Sequence, residues 1–105
     1  MPYGIPEPAL ESIRSTLLRH KGVTRAVLYG SRAKETFREG SDIDIALEGE
    51  GLSFDDLLRI ESNLDALDLP WRFDVSLHAG LTHPDLLRHI QRVGCDITKT
   101  TEETK

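Results

Sequence analysis

The chain has 105 residues, of which 38% are hydrophobic and 30% charged, and its formal net charge at pH 7 is −5. This size and composition predict one globular domain over residues 1–98, followed by a polar tail over 99–105. Because no apolar run could cross a membrane and no signal-like segment follows Met1, we expect a cytoplasmic protein. The acidic balance argues against nucleic acids as main partners, and the short apolar runs argue against a membrane partner.

Helical and alternating apolar patterns succeed one another along the chain. They predict, in order, a helix over 7–20, a strand over 23–29, a short helix over 32–37, a strand over 42–47, a helix over 53–68, a strand over 71–77, a helix over 82–93 and an edge strand over 95–98. Ser53 with Asp56, and Thr82 with Asp85, are predicted to cap the two later helices. Strands separated by helices indicate an α/β fold, a small mixed sheet of three to four strands flanked by helices.

Three aspartates are predicted to converge on one face of this sheet. Asp42 and Asp44 are separated by one residue on a strand, so they project to the same side, about 6.5–7 Å apart. Asp74 lies opposite the apolar side of a later strand, and pairing the two strands would bring its carboxylate beside the other two. Packing gives no reason for such a cluster, since unpaired carboxylates are costly in a core.

Carboxylates at this spacing indicate divalent-metal chemistry. Mg²⁺ prefers oxygen ligands and shares its coordination sphere among carboxylates, waters and substrate phosphates. Two such ions can stabilise the attacking and the leaving oxygen of an in-line displacement. We therefore predict that Asp42 and Asp44 hold two Mg²⁺ ions, and that Asp74 completes the site that activates the acceptor hydroxyl. Four histidines show no ligand spacing: His20, His78, His83 and His89. His78 lies four residues beyond Asp74, within reach of the site, but is more simply interpreted as a surface or loop residue.

The Gly-Ser pair after the first strand is the candidate nucleotide-binding site. Gly30 would let the backbone approach a phosphate closely, and Ser31 offers a hydroxyl and an amide at a helix N-terminus. Arg32 and Lys34 are predicted to add positive charge near the triphosphate. An Asp-x-Asp pair alone is often a solvated strand end, and a Gly-Ser pair alone is often a plain turn. Their joint occurrence with Asp74 favours nucleotidyl transfer.

This combination resembles the DNA polymerase β-like nucleotidyltransferase superfamily, whose signature is Gly-Ser, about ten residues, Asp-x-Asp and a later third Asp. The resemblance is narrower to the minimal nucleotidyltransferases (MNT) of prokaryotes and covers nearly the whole chain. The similar segments are 28–34, 40–47, 73–77, 84–90 and 92–94. The sequence departs from the family at Glu35, where glycine is frequent, and this substitution is expected to place a carboxylate near the triphosphate.

The resemblance implies a reaction and a partner. Minimal nucleotidyltransferases are usually encoded beside a HEPN-domain protein, and the pair acts as a toxin–antitoxin system. The chain is thus expected to transfer AMP from ATP to a tyrosine of a HEPN toxin, as part of a hetero-oligomer or as a homodimer. Two alternatives stay open: a binding module that neutralises a HEPN partner without catalysis, and, less favoured, transfer to a small molecule or an RNA end.

Overall fold

The computed structural model describes residues 2–98, so the predicted tail over 99–105 lies outside the described residues. The helices and strands alternate as the sequence predicts. Their bounds are α1 Glu7–Leu18, β1 Arg25–Tyr29, α2 Gly30–Lys34, β2 Ile43–Glu48, α3 Phe54–Asp65, β3 Phe73–Leu77, α4 Pro84–Val93 and β4 Cys95–Asp96. None of the helices within residues 2–98 has the length and apolar character needed to cross a membrane.

Within the described part of the chain, the strands form one mixed sheet in the order β3-β2-β1-β4. β1 is antiparallel to both β2 and β4, whereas β2 and β3 are parallel. Parallel neighbours need a crossover connection, and α3 provides it between β2 and β3. The predicted fold class, a small mixed sheet flanked by helices, is confirmed.

The two faces of the sheet are covered to different extents. The main core lies on one face, where alternate strand residues pack with α1 and α3; its strand members include Ala26, Leu28, Ile43, Ile45, Leu47 and Val75. A smaller apolar cluster on the opposite face joins Val27, Tyr29 and Ala46 to Ile90 of α4. This second face also carries the aspartates, of which Asp42 and Asp74 are exposed. The helices therefore leave the carboxylate end of the sheet accessible.

The starts of the two later helices give one confirmed prediction and one correction. Ser53 caps α3 with a capping box: its hydroxyl accepts the Asp56 N–H at 3.2 Å, and the Asp56 carboxylate accepts the Ser53 N–H at 2.8 Å. At α4 the prediction of Thr82 is wrong, because His83 is the cap and its Nδ1 accepts the Leu86 N–H at 3.4 Å. Proline is frequent at the first position of a helix, so α4 begins at Pro84 and the residue before it, His83, becomes the cap.

Candidate active site

The structure brings the three aspartates together at one end of the sheet. Asp44 on β2 and Asp74 on β3 are direct partners in the parallel register. Since neighbouring strands lie about 4.8 Å apart, their carboxylates project side by side from the same face. Asp42 immediately precedes β2 and is exposed, as Asp74 is, whereas Asp44 is half-buried.

These carboxylates repel one another. Burial raises the pKa of the Asp44 carboxyl to about 6, and the negative charges of Asp74 and Asp42 add to this rise. Among the described residues, no lysine or arginine forms an ion pair with any of the three. A divalent cation would remove the repulsion and favour the charged form of Asp44.

The chemistry of this donor set fits Mg²⁺, which takes hard oxygen ligands. Across residues 3–98, no three His, Cys, Asp or Glu side chains enclose a metal ion on their own. Mg²⁺ is usually held by one or two carboxylates together with waters and substrate phosphates. A site completed by the phosphates of a nucleotide does not need a preformed cage of three protein ligands.

The Gly-Ser turn packs directly against Asp44. Gly30 follows Tyr29, which is the register partner of Asp44 in the antiparallel pair of β1 and β2. Gly30 has a φ of 79°, and a Cβ at this position would lie 2.2 Å from Oδ2 of Asp44. The left-handed backbone therefore favours glycine, and any larger residue would also push the Asp44 carboxylate out of its position. Ser31 is half-buried in the first turn of α2 and follows Gly30 directly in the chain.

We expect Gly30→Ala to displace the Asp44 carboxylate and to lower nucleotidyl transfer at least about tenfold, besides losing about 1–2 kcal/mol of stability to backbone strain. Gly40→Ala is the matched control. Gly40 has a φ of 84°, but no atom lies within 4 Å of an added Cβ, so this variant carries the strain without the clash. Unfolding curves and initial rates of both variants make the comparison. Equal rates for the two would contradict the role of the Gly30–Asp44 contact.

The prediction that Arg32 adds positive charge near the triphosphate is corrected, because its guanidinium is buried and already bonded within the protein. The residue is 2% exposed. Its Nε and Nη2 donate to the Ser41 carbonyl at 3.0 and 2.9 Å, and its Nη1 donates to the Tyr3 carbonyl at 2.9 Å. The guanidinium also packs on the rings of Phe37 and Trp71, 5.1 and 5.5 Å from their centroids. Arg32 thus ties α2 to the N-terminal segment and to the loop that leads into β2.

Lys34 and Glu35 lie at the end of α2, and the structure bears differently on the predictions made for them. Lys34 is exposed and takes part in none of the ion pairs among residues 3–98, so its contact with a triphosphate stays a prediction. The Glu35 carboxylate accepts the backbone N–H of Tyr3 at 3.4 Å. It is therefore directed towards the N-terminal segment, which corrects the expectation that it faces the nucleotide.

Glu35 also ends α2 in a left-handed conformation, with a φ of 59°. Glycine adopts this conformation without strain, which accounts physically for the glycine that the family often has here. We expect Glu35→Gly to raise the free energy of unfolding by about 0.5–1 kcal/mol, since the hydrogen bond that it removes is long. Urea unfolding provides the measurement. Glu39→Gly, at an exposed position without a positive φ, should lower stability instead, and a loss with Glu35→Gly would contradict the argument.

Two residues beside the site were not predicted to belong to it. Burial raises the pKa of the Tyr29 phenol; a hydrogen bond with Ser76 opposes the rise, and the charges of Asp74 and Asp44 add to it. His89 of α4 accepts the Gly30 N–H through Nε2 at 3.0 Å. The sequence places His89 next to an apolar helix position. Nothing in a local pattern, however, pairs it with a residue 59 positions away.

A carboxylate pair on adjacent strands, a third carboxylate at the strand entry and a Gly-Ser turn against them form the candidate site of a nucleotidyltransferase. The family "Polymerase beta, Nucleotidyltransferase" matches residues 11–103. A Methanocaldococcus jannaschii protein, provisionally named a protein adenylyltransferase, is 40% identical over 82 residues, which cover 77% of this chain and 85% of that relative. The chain belongs to the polymerase beta nucleotidyltransferase family and is a nucleotidyltransferase enzyme.

Two solved structures share its fold. One, provisionally described as a minimal nucleotidyltransferase, aligns with a TM-score of 0.71 and 30% identity over 90% of this chain and 95% of that chain. The other is a tri-AMPylated Shewanella oneidensis HEPN toxin in complex with MNT antitoxin; its TM-score is 0.66 at 19% identity, over 93% of this chain and 76% of that chain. The similarity to minimal nucleotidyltransferases that the sequence motifs indicated is confirmed.

Proposed function

We propose that this chain transfers AMP from ATP to a tyrosine of a HEPN toxin in a Mg²⁺-dependent reaction, and thereby acts as an antitoxin. The main support is the register pair of Asp44 and Asp74, held against Gly30. Holding mutually repelling carboxylates together costs the metal-free protein stability, and a purely structural domain gains nothing from that cost. The relative provisionally named a protein adenylyltransferase supports a protein as the acceptor.

Each residue has a task in this proposal. Asp42 and Asp44 would hold Mg²⁺, which supplies Lewis-acid stabilisation of phosphate charge when it is bound. Ser31 would contact the terminal phosphates through its hydroxyl and amide. Asp74 lies at the exposed rim, where it completes the site and can receive the proton of the acceptor hydroxyl. The tyrosine oxygen then forms a bond to the α-phosphorus, the bond from that phosphorus to the bridging oxygen breaks, and pyrophosphate leaves.

The second candidate function is a binding module that neutralises the toxin without catalysis. Exposed apolar side chains on α3 favour this alternative, since Phe54 is 66% and Leu58 47% exposed. Phe54 and Leu58 lie one helical turn apart and so form a small contiguous apolar patch, the kind of surface that a partner covers. The two functions are compatible in one protein, and only the catalytic one requires the carboxylates.

Mass spectrometry of the HEPN partner tests the proposal. The partner is incubated with this chain, ATP and Mg²⁺, beside a control in which Asp42→Asn and Asp44→Asn are combined. We expect one or more AMP units on a partner tyrosine with the parent and none with the control. A stable complex without any AMP would overturn the catalytic proposal in favour of the binding module.

A further inference from the structure

We propose that His89 is a positioning residue of the nucleotide site, which holds the Gly30 amide and so fixes the turn that presents Ser31 to the nucleotide. The inference rests on the proposed binding of a nucleotide at this turn. Its basis is the 3.0 Å hydrogen bond from the Gly30 N–H to Nε2 of His89, which joins α4 to the start of α2.

The turn needs an acceptor from outside its own backbone. Gly30 is the first residue of α2, and the N–H groups of a first helical turn have no acceptor inside the helix. Glycine is also the residue with the most conformational freedom, and α2 has only five residues, so the helix itself does little to fix its start. His89 supplies an acceptor and restricts rotation of the peptide group that joins Tyr29 to Gly30, at the start of the turn.

The imidazole is itself held in place by packing. Its ring stands edge-on to Tyr29, with the centroids 6.2 Å apart and the planes at 80°. The next residue, Ile90, is 5% exposed and packs with Val27 and Tyr29 on the sheet. Because Nε2 accepts a hydrogen bond, the ring carries its proton on Nδ1. The acceptor atom is thus fixed by α4 and by the last residue of β1.

The contact between His89 and Gly30 gives Gly30 and Ser31 different roles in the turn. The Gly30 amide is engaged by His89, which leaves the amide and hydroxyl of Ser31 to contact phosphate. Without His89 the turn would be ordered only when a nucleotide binds, and the cost of ordering would weaken binding. Once nucleotide is bound, the reacting groups would be in their normal places. Loss of His89 should therefore raise KM for ATP and leave kcat nearly unchanged.

Three substitutions of one residue separate the acceptor from the bulk of the side chain. His89→Leu removes the acceptor, His89→Gln places an amide oxygen near the position of Nε2, and His89→Asn places one nearer to that of Nδ1. We expect His89→Leu and His89→Asn to raise KM for ATP and Kd for AMP-PNP with Mg²⁺ about tenfold, with kcat changed less than about twofold. His89→Gln should restore both constants to within about threefold of the parent.

His83→Leu is the matched control. It removes a histidine on the same helix whose ring nitrogen also accepts a backbone N–H, at the far end of the helix from His89. This variant should lose stability while its Kd for AMP-PNP stays at the parent value. In amide exchange, the Gly30 N–H should be protected in the parent and His83→Leu, and should exchange freely in His89→Leu.

The outcomes distinguish this inference from the proposed function. AMP-PNP binding that is equal in the parent and His89→Leu, equal constants for the Gln and Asn variants, or a tenfold weakening in His83→Leu would each overturn the role of His89. A parent that transfers no AMP, but binds AMP-PNP about tenfold more tightly than His89→Leu does, would overturn the proposed reaction and leave the role of His89 supported. A parent that binds no nucleotide would overturn both.

Discussion

Asp44→Asn is expected to abolish nucleotidyl transfer and, at neutral pH, to make the metal-free protein more stable than the parent. Transfer should fall by about 10³-fold or more, because the substitution removes the charged oxygen that we propose as a metal ligand at the centre of the site. A loss of activity combined with a gain in stability is expected because burial of the Asp44 carboxylate, and then the negative charges of Asp74 and Asp42, disfavour its charged form.

The sign of the stability change follows from the pKa of Asp44, which is raised from 3.8 to about 6 in the folded protein. A raised carboxyl pKa means that the folded state holds the proton more tightly than the unfolded chain does. The residue therefore destabilises the fold as pH rises from about 4 to about 6, and the full effect is present above that range. Asp44 is only half-buried, so we discount the effect to about 1–2 kcal/mol.

Unfolding of the parent and Asp44→Asn at pH 4 and pH 7.5, with a chelator present, measures this effect. We expect similar stabilities at pH 4 and a more stable variant at pH 7.5. Adding Mg²⁺ with AMP-PNP should then raise Tm of the parent more than that of the variant. Asp65→Asn, which removes an exposed carboxylate of α3, should show neither change. A variant less stable than the parent at pH 7.5 would mean that Asp44 has a structural role.

The alternation of apolar residues explains why the carboxylate cluster was predictable. In β2 the residues Ile43 and Ile45 enter the main core, so Asp44 must project from the opposite face. The same period on β3 directs Val75 inwards and Asp74 outwards, and the parallel register then places the two carboxylates side by side. The alternation of apolar residues along a strand and the length of the connection between two strands are both properties of short segments. They can therefore be read from a single sequence.

The side-chain contacts of the Gly-Ser turn could not be predicted in this way. Basic residues just after a Gly-Ser pair suggest phosphate contacts, yet α2 turns Arg32 inwards and leaves Lys34 exposed. Which side of a five-residue helix faces the site depends on distant segments, here the carbonyl of Tyr3. The contact between His89 and Gly30 is of the same kind, because it joins two elements that carry no mutual sequence signal.

We expect Arg32→Met to destabilise the fold by about 3 kcal/mol, which would be the largest loss of stability among these substitutions. The change leaves the carbonyls of Ser41 and Tyr3 without their donors and removes a cation packed on Phe37 and Trp71. Arg32→Lys should recover only part of the loss, since an ammonium group cannot reach both carbonyls in the planar geometry of a guanidinium. Urea unfolding of the three proteins gives the measurement.

The same substitution decides whether Arg32 acts through the fold or at the nucleotide. Ser41 precedes Asp42, so releasing its carbonyl should also disturb this proposed metal ligand and lower kcat. Lys34→Met is the matched comparison on the same helix: it should weaken AMP-PNP binding several-fold at unchanged stability, since Lys34 is exposed. The reverse result would support the original prediction that the Arg32 guanidinium contacts the nucleotide. In that case Arg32→Met would weaken nucleotide binding at full stability, and the hydrogen bonds to the two carbonyls would contribute little to the fold.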